Sequence, residues 1–431
     1  MKNLFKKVVT KVLIFESKLV IRKYNPKIIA VTGSVGKTST KDAIYTVISK
    51  FAYVRKSEKS YNSQIGLPLT VLGLPNGWNN PLVWTANILR GLWLIIWPHK
   101  YPSWLVLEVG VGKPGDMAET AAWLRTDIVV MTTIPETPVH IEFFHSRKHL
   151  VDEKAELIKT LKKNGTLILN ADDSTILEMK SRTRNIVVTY GFNEDSDLRA
   201  SEEKIMYSES GAPEGVTFRI DASGKSLPVV MKGVFGQNHI YCGLAAVACA
   251  YVLKFSLLEA IDALVVHETP VGRMKVLKGI NDIVIIDDSY NSSPIAAESA
   301  VSTLGKIETK GRKIAVLGDM LELGKHTEEA HRNIGKMAQS SADVLVVVGP
   351  RAKFFKEGAV SVKMPEKNIH DFNTSVEAAE FMKGFVQNSD IVLVKGSQGM
   401  RMERVVVALL ADYEKQKNSV PRQDREWLAK N

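Results

Sequence analysis

The sequence predicts two α/β units in tandem, each a mostly parallel sheet crossed by helices. Three observations carry this reading. From Lys27 onward, short β-branched runs alternate with stretches of helical periodicity, the pattern of strands joined by crossover helices. Between residues 205 and 235 the rhythm breaks into Gly, Ser and alternating apolar positions, which read as antiparallel hairpins closing a first unit. It restarts after a Pro and Gly pair near 269–273. At 431 residues, 45% hydrophobic and 24% charged, the chain has a globular composition and enough length for two or three cores.

Residues 1–25 read as a basic amphipathic helix. At about 100° per residue, Leu4, Phe5, Val8, Val9, Val12, Phe15 and Leu19 fall on one side, and Lys6, Lys7, Lys11 and Lys18 on the other. Residues 1–27 hold eight Lys and Arg against Glu16 alone, so most of the chain's formal charge of +10 sits at its front. Such a helix either packs on the body of the protein with a solvated charged face or lies on an anionic membrane surface.

The first unit spans 26–271, with strands expected at 28–31, 105–109, 128–131, 166–169 and 186–189. Residues 81–98 read as a short, very apolar helix. Five of the seven tryptophans, Trp78, Trp84, Trp93, Trp97 and Trp104, lie in or beside it. Tryptophan favours both the lipid headgroup boundary and buried contacts, so this cluster has two readings, membrane and core. A small-residue helix at 238–253 follows. The second unit, 272–415, repeats the alternation on a smaller scale, with strands at 283–286, 313–317, 344–348 and 391–394. Residues 416–431 are polar and are expected to fray.

Several function classes drop out. Cys242 and Cys249 lie seven apart in a helical segment, about 10 Å between α-carbons, which is beyond disulfide reach. Two cysteines cannot build a four-cysteine zinc ribbon. The longest apolar run, 92–97, is far shorter than the approximately 20 residues of a membrane span. No secretory pattern follows the basic start, so a cytoplasmic location is expected, with attachment to the inner face of the plasma membrane under the membrane reading. Charge confined to the front argues against a nucleic-acid partner, and a monomer is expected.

The strongest local signal is the run Thr32, Gly33, Ser34, Val35, Gly36, Lys37, Thr38, Ser39, placed between a strand and a helix. Its glycines let backbone N–H groups approach phosphate oxygens, Lys37 supplies a cation, and Thr38 offers a hydroxyl to magnesium. The two glycines are closer together than in the common P-loop. Glu108 closes an apolar strand at the carboxyl edge where such a metal would sit, as a ligand or as a rim residue.

Further segments carry a family resemblance. They are 62–68 (NSQIGLP), 140–146 (HIEFFHS), 153–156 (EKAE), 170–173 (NADD), Gly272-Arg273, 287–291 (DDSYN), 318–324 (GDMLELG) and 395–397 (KGS). Together with the phosphate loop they resemble the Mur ligases, and among them the branch that adds D-alanyl-D-alanine to a muramyl tripeptide. The resemblance covers roughly 27–415. It implies a P-loop central ATPase domain and a Rossmann-like C-terminal domain. The implied enzyme is an ATP-dependent ligase that joins an amino acid or dipeptide to a peptidoglycan-precursor carboxylate through an acyl phosphate.

By that resemblance Lys37 contacts the phosphates, and Thr38 and Glu108 hold one magnesium ion. His140 and Lys154, carbamylated by carbon dioxide, hold a second. Arg273 reaches the γ-phosphate, Asp288 and Asn291 belong to the nucleotide site, and Asn238 and His239 lie where the family contacts adenine. The plain readings remain beside these: a solvated helical lysine for Lys154, a loop histidine for His140, an interdomain salt bridge for Arg273, a strand-end cap for Asp288.

Two departures stand out. The family's His and Asn order is transposed at Asn238-His239, and a later Asn is Cys242. Only 32 residues precede Gly33, too few for the separate uridine-binding domain that Mur ligases usually carry there. A lipid-linked precursor is one donor compatible with this. The alternatives are a folylpolyglutamate-synthase-like ligase and a membrane-peripheral nucleotide-binding module without ligase activity.

Overall fold

The computed structural model describes residues 2–58, 64–78, 80–136, 144–424 and 427, with side chains from residue 7 onward. Its larger sheet is built from β1 (Lys27–Thr32), β2 (Val54–Lys56), β3 (Trp104–Glu108), β4 (Thr126–Met131), β5 (Leu161–Asn170), β6 (Ile186–Gly191), β7 (Leu198–Tyr207), β8 (Pro213–Ala222) and β9 (Lys225–Lys232). The strand order is β2-β3-β1-β4-β5-β6-β7-β8-β9. Pairing is parallel as far as β7 and antiparallel through β8 and β9, so the hairpins expected at 205–235 extend the parallel sheet at one edge.

The smaller sheet comprises β10 (Lys275–Lys278), β11 (Val284–Asp288), β12 (Lys313–Gly318), β13 (Val344–Val348), β14 (Ile369–Phe372) and β15 (Ile391–Lys395). Its order is β10-β11-β15-β12-β13-β14, with β10 alone antiparallel. The α/β class and the division into a large and a small sheet are as the sequence predicts. The strands β2, β10 and β14 go beyond it; each has three or four residues, too short for a period-two signal.

Alternation along the central strands feeds two cores. Ile29, Val31, Val106 and Val130 face α2 (Lys37–Ser49), which buries Ala43, Ile44, Val47 and Ile48. Ile28, Ala30, Leu105, Leu107 and Val129 face the opposite side, which α1 (Lys2–Tyr24), α3 (Gly66–Leu72) and α4 (Pro81–Ile96) cover. The sheet's outer helices on the site side are α5 (Asp116–Ala121) and α6 (Arg147–Ala155), and the one-turn α7 (Ser174–Leu177) follows β5. The small-residue helix α8 (Gln237–Val252) packs beside α2.

Two expectations are corrected. α1 does not bury the side that holds Val8 and Phe15, which are 53% and 61% exposed. Of that side it buries Val9, and its other buried residues are Leu13, Glu16, Ser17 and Val20. Ser17 and Gly91 are small enough for a close approach to α3 and α4: the Ser17 hydroxyl reaches the Pro68 carbonyl, and a Cβ at Gly91 would meet Glu16 Oε2 at 2.1 Å. Nor do residues 416–424 fray. Val420 and Arg422 are buried, and the Arg422 guanidinium pairs with buried Glu403 at 2.7 Å.

The tryptophan cluster divides. Trp84 and Trp104 are core residues, whereas Trp78, Trp93 and Trp97 are exposed. No helix among the described residues is long and apolar enough to cross a membrane.

Candidate active site

β1 delivers the phosphate loop between its neighbours β3 and β4, at the carboxyl edge of the sheet. Gly33 has φ 141° and Gly36, at the start of α2, φ 80°. A Cβ at Gly33 would lie 2.0 Å from Thr132 Oγ1, so the loop fits against the end of β4 only with glycine there. The Ser34 and Val35 N–H groups donate to the Thr133 carbonyl at 2.7 and 3.3 Å. The N–H groups left to meet phosphate are therefore those opening α2, which the first turn of a helix leaves unsatisfied. Ser39 is buried behind them.

Glu108, the last residue of β3, is 1% exposed, and its Oε2 accepts the Thr38 hydroxyl at 2.8 Å. Lys37 Nζ donates to Ser34 O at 3.3 Å. Burial lowers the Lys37 pKa, Glu108 works against that, and Arg273 from the second domain adds to it. Lys154, near the end of α6, is buried and donates to Gly33 O at 2.9 Å. Burial first, then the Lys37 charge, hold its pKa well below the ordinary lysine value. Two cations thus crowd a desolvated site beside one carboxylate. That donor set fits a divalent ion at Thr38 and Glu108 with phosphate anions beside the lysines, and a carbamate on Lys154 would replace a repelled cation by an anionic ligand.

Arg273 follows Gly272, whose φ is 68°, and its guanidinium lies 4.5 Å over the Tyr290 ring. A cavity of about 1120 Å³ gathers Ser34, Gly36, Lys37, Thr38, Glu108 and Lys154 on one side with Arg273, Tyr290 and Asn291 of the second domain.

Asp288, His239 and Asn238 do not line that cavity. Asp288 pairs with Lys395 at 2.6 Å, both buried, and accepts the Met274 N–H. His239 is buried, its pKa lowered by desolvation to about 4, and its Nε2 meets Arg273 O at 2.9 Å. The imidazole is therefore neutral at pH 7, and Nε2–H donates to that carbonyl across the domain boundary. Asn238 Nδ2 reaches Ser299 Oγ at 3.4 Å. His140 lies outside the described residues, as do Asn62 and Ser63. Among the described residues no group of three or more His, Cys, Asp or Glu is gathered as a metal would need.

Two acidic residues of the cavity, Asp116 and Glu119, carried no local sequence signal. Gln64 donates to Asp116 and Glu119, and all three line the cavity. Asp172 and Asp173 are structural: Asp172 takes the Phe192 and Asn193 N–H groups and the Tyr241 hydroxyl, and Asp173 takes the Ile134 N–H.

Comparison with known proteins agrees with this geometry. Residues 31–250 match the family described as Mur ligase middle domain, and 272–398 the one described as Mur ligase, glutamate ligase domain. The UDP-N-acetylmuramoyl-tripeptide--D-alanyl-D-alanine ligase of Buchnera aphidicola is 30% identical, over 91% of this chain and 79% of its own length. The ligase of the same name from Bacillus subtilis is 27% identical, over 91% and 78%. The MurF ligase of Thermotoga maritima, solved with ADP, superposes with a TM-score of 0.76 at 25% identity, over 94% of this chain and 84% of that one. The Mycobacterium tuberculosis folylpolyglutamate synthase, at 12% identity and a TM-score of 0.62, shares the fold alone. A phosphate loop, Thr38 bonded to the buried Glu108 and two matched domains on one cavity are the parts of one enzyme type, and the chain belongs to the Mur ligase family of ATP-dependent ligases.

Proposed function

We propose that the chain joins an amino acid or dipeptide of D-alanyl-D-alanine type to a carboxylate of a peptidoglycan precursor. The observation that carries this is the convergence of Lys37, Thr38, Glu108 and Lys154 with Arg273 of the other domain on one cavity. In the reaction the substrate carboxylate oxygen attacks the γ-phosphorus of ATP, and ADP leaves. The amine then attacks the acyl carbon, phosphate leaves, and the amine's proton passes to solvent.

Each step brings anions together. Lys37 and Arg273 offset their charge from opposite domains, so the phosphoryl group is held only when both walls are in place. Magnesium at Thr38 and Glu108, with a second ion at His140 and carbamylated Lys154, would polarise the transferred phosphoryl group. Lys154 suits carbamylation because burial and the Lys37 charge lower its pKa and so favour the neutral amine, the form that adds carbon dioxide with release of one proton. A monomeric working unit is part of the same reading.

Release of ADP and phosphate that requires a carboxyl and an amino substrate together is the test. ATP turnover indifferent to every pair would overturn the reading.

A peripheral contact with the anionic inner face of the plasma membrane is part of the same proposal. Leu82, Leu89, Leu92, Trp93, Ile96 and Trp97 of α4 are exposed, and the Trp93 and Trp97 rings stack. Every exposed charged side chain described on α1 and α4 is basic, because Glu16 is buried. The outer face of α4, rather than the apolar side expected of α1, provides the surface.

A further inference from the structure

α1 supplies a second wall of the catalytic cavity. Lys7, Thr10, Lys11 and Ile14 line it together with the phosphate loop and Lys154. Lys7 and Lys11 are one turn apart on the same side of the helix, and neither forms an ion pair among the described residues. The helix that carries them is fixed. Val9, Leu13 and Val20 are buried, and Lys23 Nζ donates to the carbonyls of Leu94, Ile95 and Trp97 at the end of α4. The pair of ammonium groups is thus presented from a rigid support into the cavity, about a helical turn apart.

The cavity, at about 1120 Å³, exceeds the approximately 300–1,000 Å³ that one small ligand usually fills. It has room for a second ligand beside the nucleotide. Of the four acidic residues on the same cavity, Asp116, Glu119 and Glu108 have partners other than the two lysines, and Glu322 belongs to the second domain. Asp116 accepts the Gly112 and Lys113 N–H groups, Gln64 bonds both Asp116 and Glu119, and Glu108 accepts Thr38. The reacting carboxylate has its own cations in Lys37 and Arg273. A free cationic pair on the opposite element suits a second, doubly charged anion.

We propose that Lys7 and Lys11 hold the diphosphate group through which the carboxyl substrate is linked to its carrier. This rests on the ligase reading for the identity of the substrate; the similar ligases act on a UDP-linked peptide. A nucleotide-linked and a polyprenyl-linked precursor share that diphosphate. α1 and α4 run in the same direction, since Glu16 meets Gly91 and Lys23 meets Ile95. The apolar face of α4 therefore leads toward the turns of α1 that carry the lysines, and a carrier lying in a membrane could be reached from there.

Two measurements test the proposal on the full chain, each with Lys7→Ala/Lys11→Ala and with the charge-keeping Lys7→Arg/Lys11→Arg. The first is calorimetric binding of methylenediphosphonate to protein saturated with ADP and magnesium, so that the phosphate loop is filled. Affinity is expected to fall about tenfold or more in the alanine variant and to stay near wild type in the arginine variant. Equal affinity in all three proteins would overturn the subsite.

The second is ligation with nucleotide-linked, polyprenyl-linked and carrier-free peptide acceptors. The alanine variant should raise KM about tenfold for diphosphate-bearing acceptors, with kcat and the KM for ATP unchanged and the carrier-free peptide unaffected. A rise confined to one linked form identifies the carrier, whereas an equal rise for all three acceptors would refute the assignment. Absence of ligation with every acceptor, alongside the expected calorimetry, would count against the ligase reading and leave the diphosphate subsite standing.

Discussion

Arg422, in the polar C-terminal stretch, donates to the carbonyl of Tyr290, whose ring carries the Arg273 guanidinium at 4.5 Å. The same arginine pairs with Glu403, and both are buried. A charge pair outside the cavity thus braces the residue beneath the arginine that faces the phosphate loop. Glu403 also takes the Arg401 guanidinium at 2.5 Å, so removing Arg422 leaves it partly compensated and should cost less than the about 3–5 kcal/mol typical of breaking an isolated buried pair. Arg422→Ala should therefore lower thermal stability clearly and reduce kcat. The double variant Arg422→Met/Glu403→Leu, in which Arg401 also loses its partner, should recover only part of the stability and none of the rate. Calorimetry and steady-state kinetics on the two variants check this, and a double variant with full activity would show that the brace has no bearing on Arg273.

Lys37→Ala is expected to cut ligation about a hundred- to a thousandfold while leaving the fold intact. The ammonium is desolvated and faces Lys154 and Arg273, so its loss also relieves repulsion. Unfolding curves should match or slightly exceed wild type. Wild-type turnover at saturating ATP would remove Lys37 from the phosphate site.

Lys154→Ala should be inactive and partly rescued by small carboxylic acids that replace the carbamate oxygens. In the native chain, burial keeps the amine's pKa well below the ordinary value, so carbamylation should be detectable near neutral pH and be reversed on acidification. Native mass spectrometry with and without bicarbonate reads this directly. An unmodified lysine under saturating bicarbonate would end the assignment.

The exposed face of α4 predicts co-sedimentation with anionic vesicles at low salt, weaker binding at high salt, and weak binding to neutral vesicles. Trp93→Glu/Ile96→Glu should abolish binding without unfolding the chain, since both side chains are exposed. Deleting residues 1–23 should instead destabilise the protein by uncovering the core that Val9, Leu13 and Val20 seal. Full-length protein that stays in the supernatant throughout would rule out the contact.

Glu16 gives a pH signature. Both its carboxylate oxygens are buried and have no hydrogen-bond partner among the described residues, and desolvation raises its pKa from 4.5 to about 7. The folded chain holds that proton after the unfolded chain has lost it. Stability from this group is therefore full below about pH 4.5, declines as pH rises, and is lost above about pH 7. Glu16→Gln should flatten that decline and stabilise the protein by about 1 kcal/mol at pH 8. Thermal melts of both proteins from pH 5 to pH 8 supply the comparison, and parallel curves would contradict it.

What was legible in the sequence was local. The phosphate loop, Glu108 at the end of its strand and the order of the long strands are written in adjacent residues, and the fold follows them. What was hidden depends on partners far along the chain. The buried side of α1 is chosen by Gly91 and by a carboxyl group that no periodicity would place inward. The order of residues 416–424 depends on Glu403 and on the carbonyls of Ser289 and Tyr290. Asp288 reads as a nucleotide ligand from its motif, yet its nearest cation, Lys395, lies 107 residues away.

The fit of Gly33 against Thr132 has a thermodynamic consequence. The Thr132 hydroxyl also donates to the Val35 carbonyl at 2.7 Å, and the neighbouring Thr133 carbonyl takes two N–H groups of the loop. The loop is cast against the edge of the sheet before any nucleotide arrives, so binding ATP need not freeze a wandering segment. Little ordering entropy is then charged to the first ligand, and more of its intrinsic attraction remains as affinity. The cost falls on sequence freedom instead: position 33 admits no side chain, because the space that a β-carbon would take is already solid.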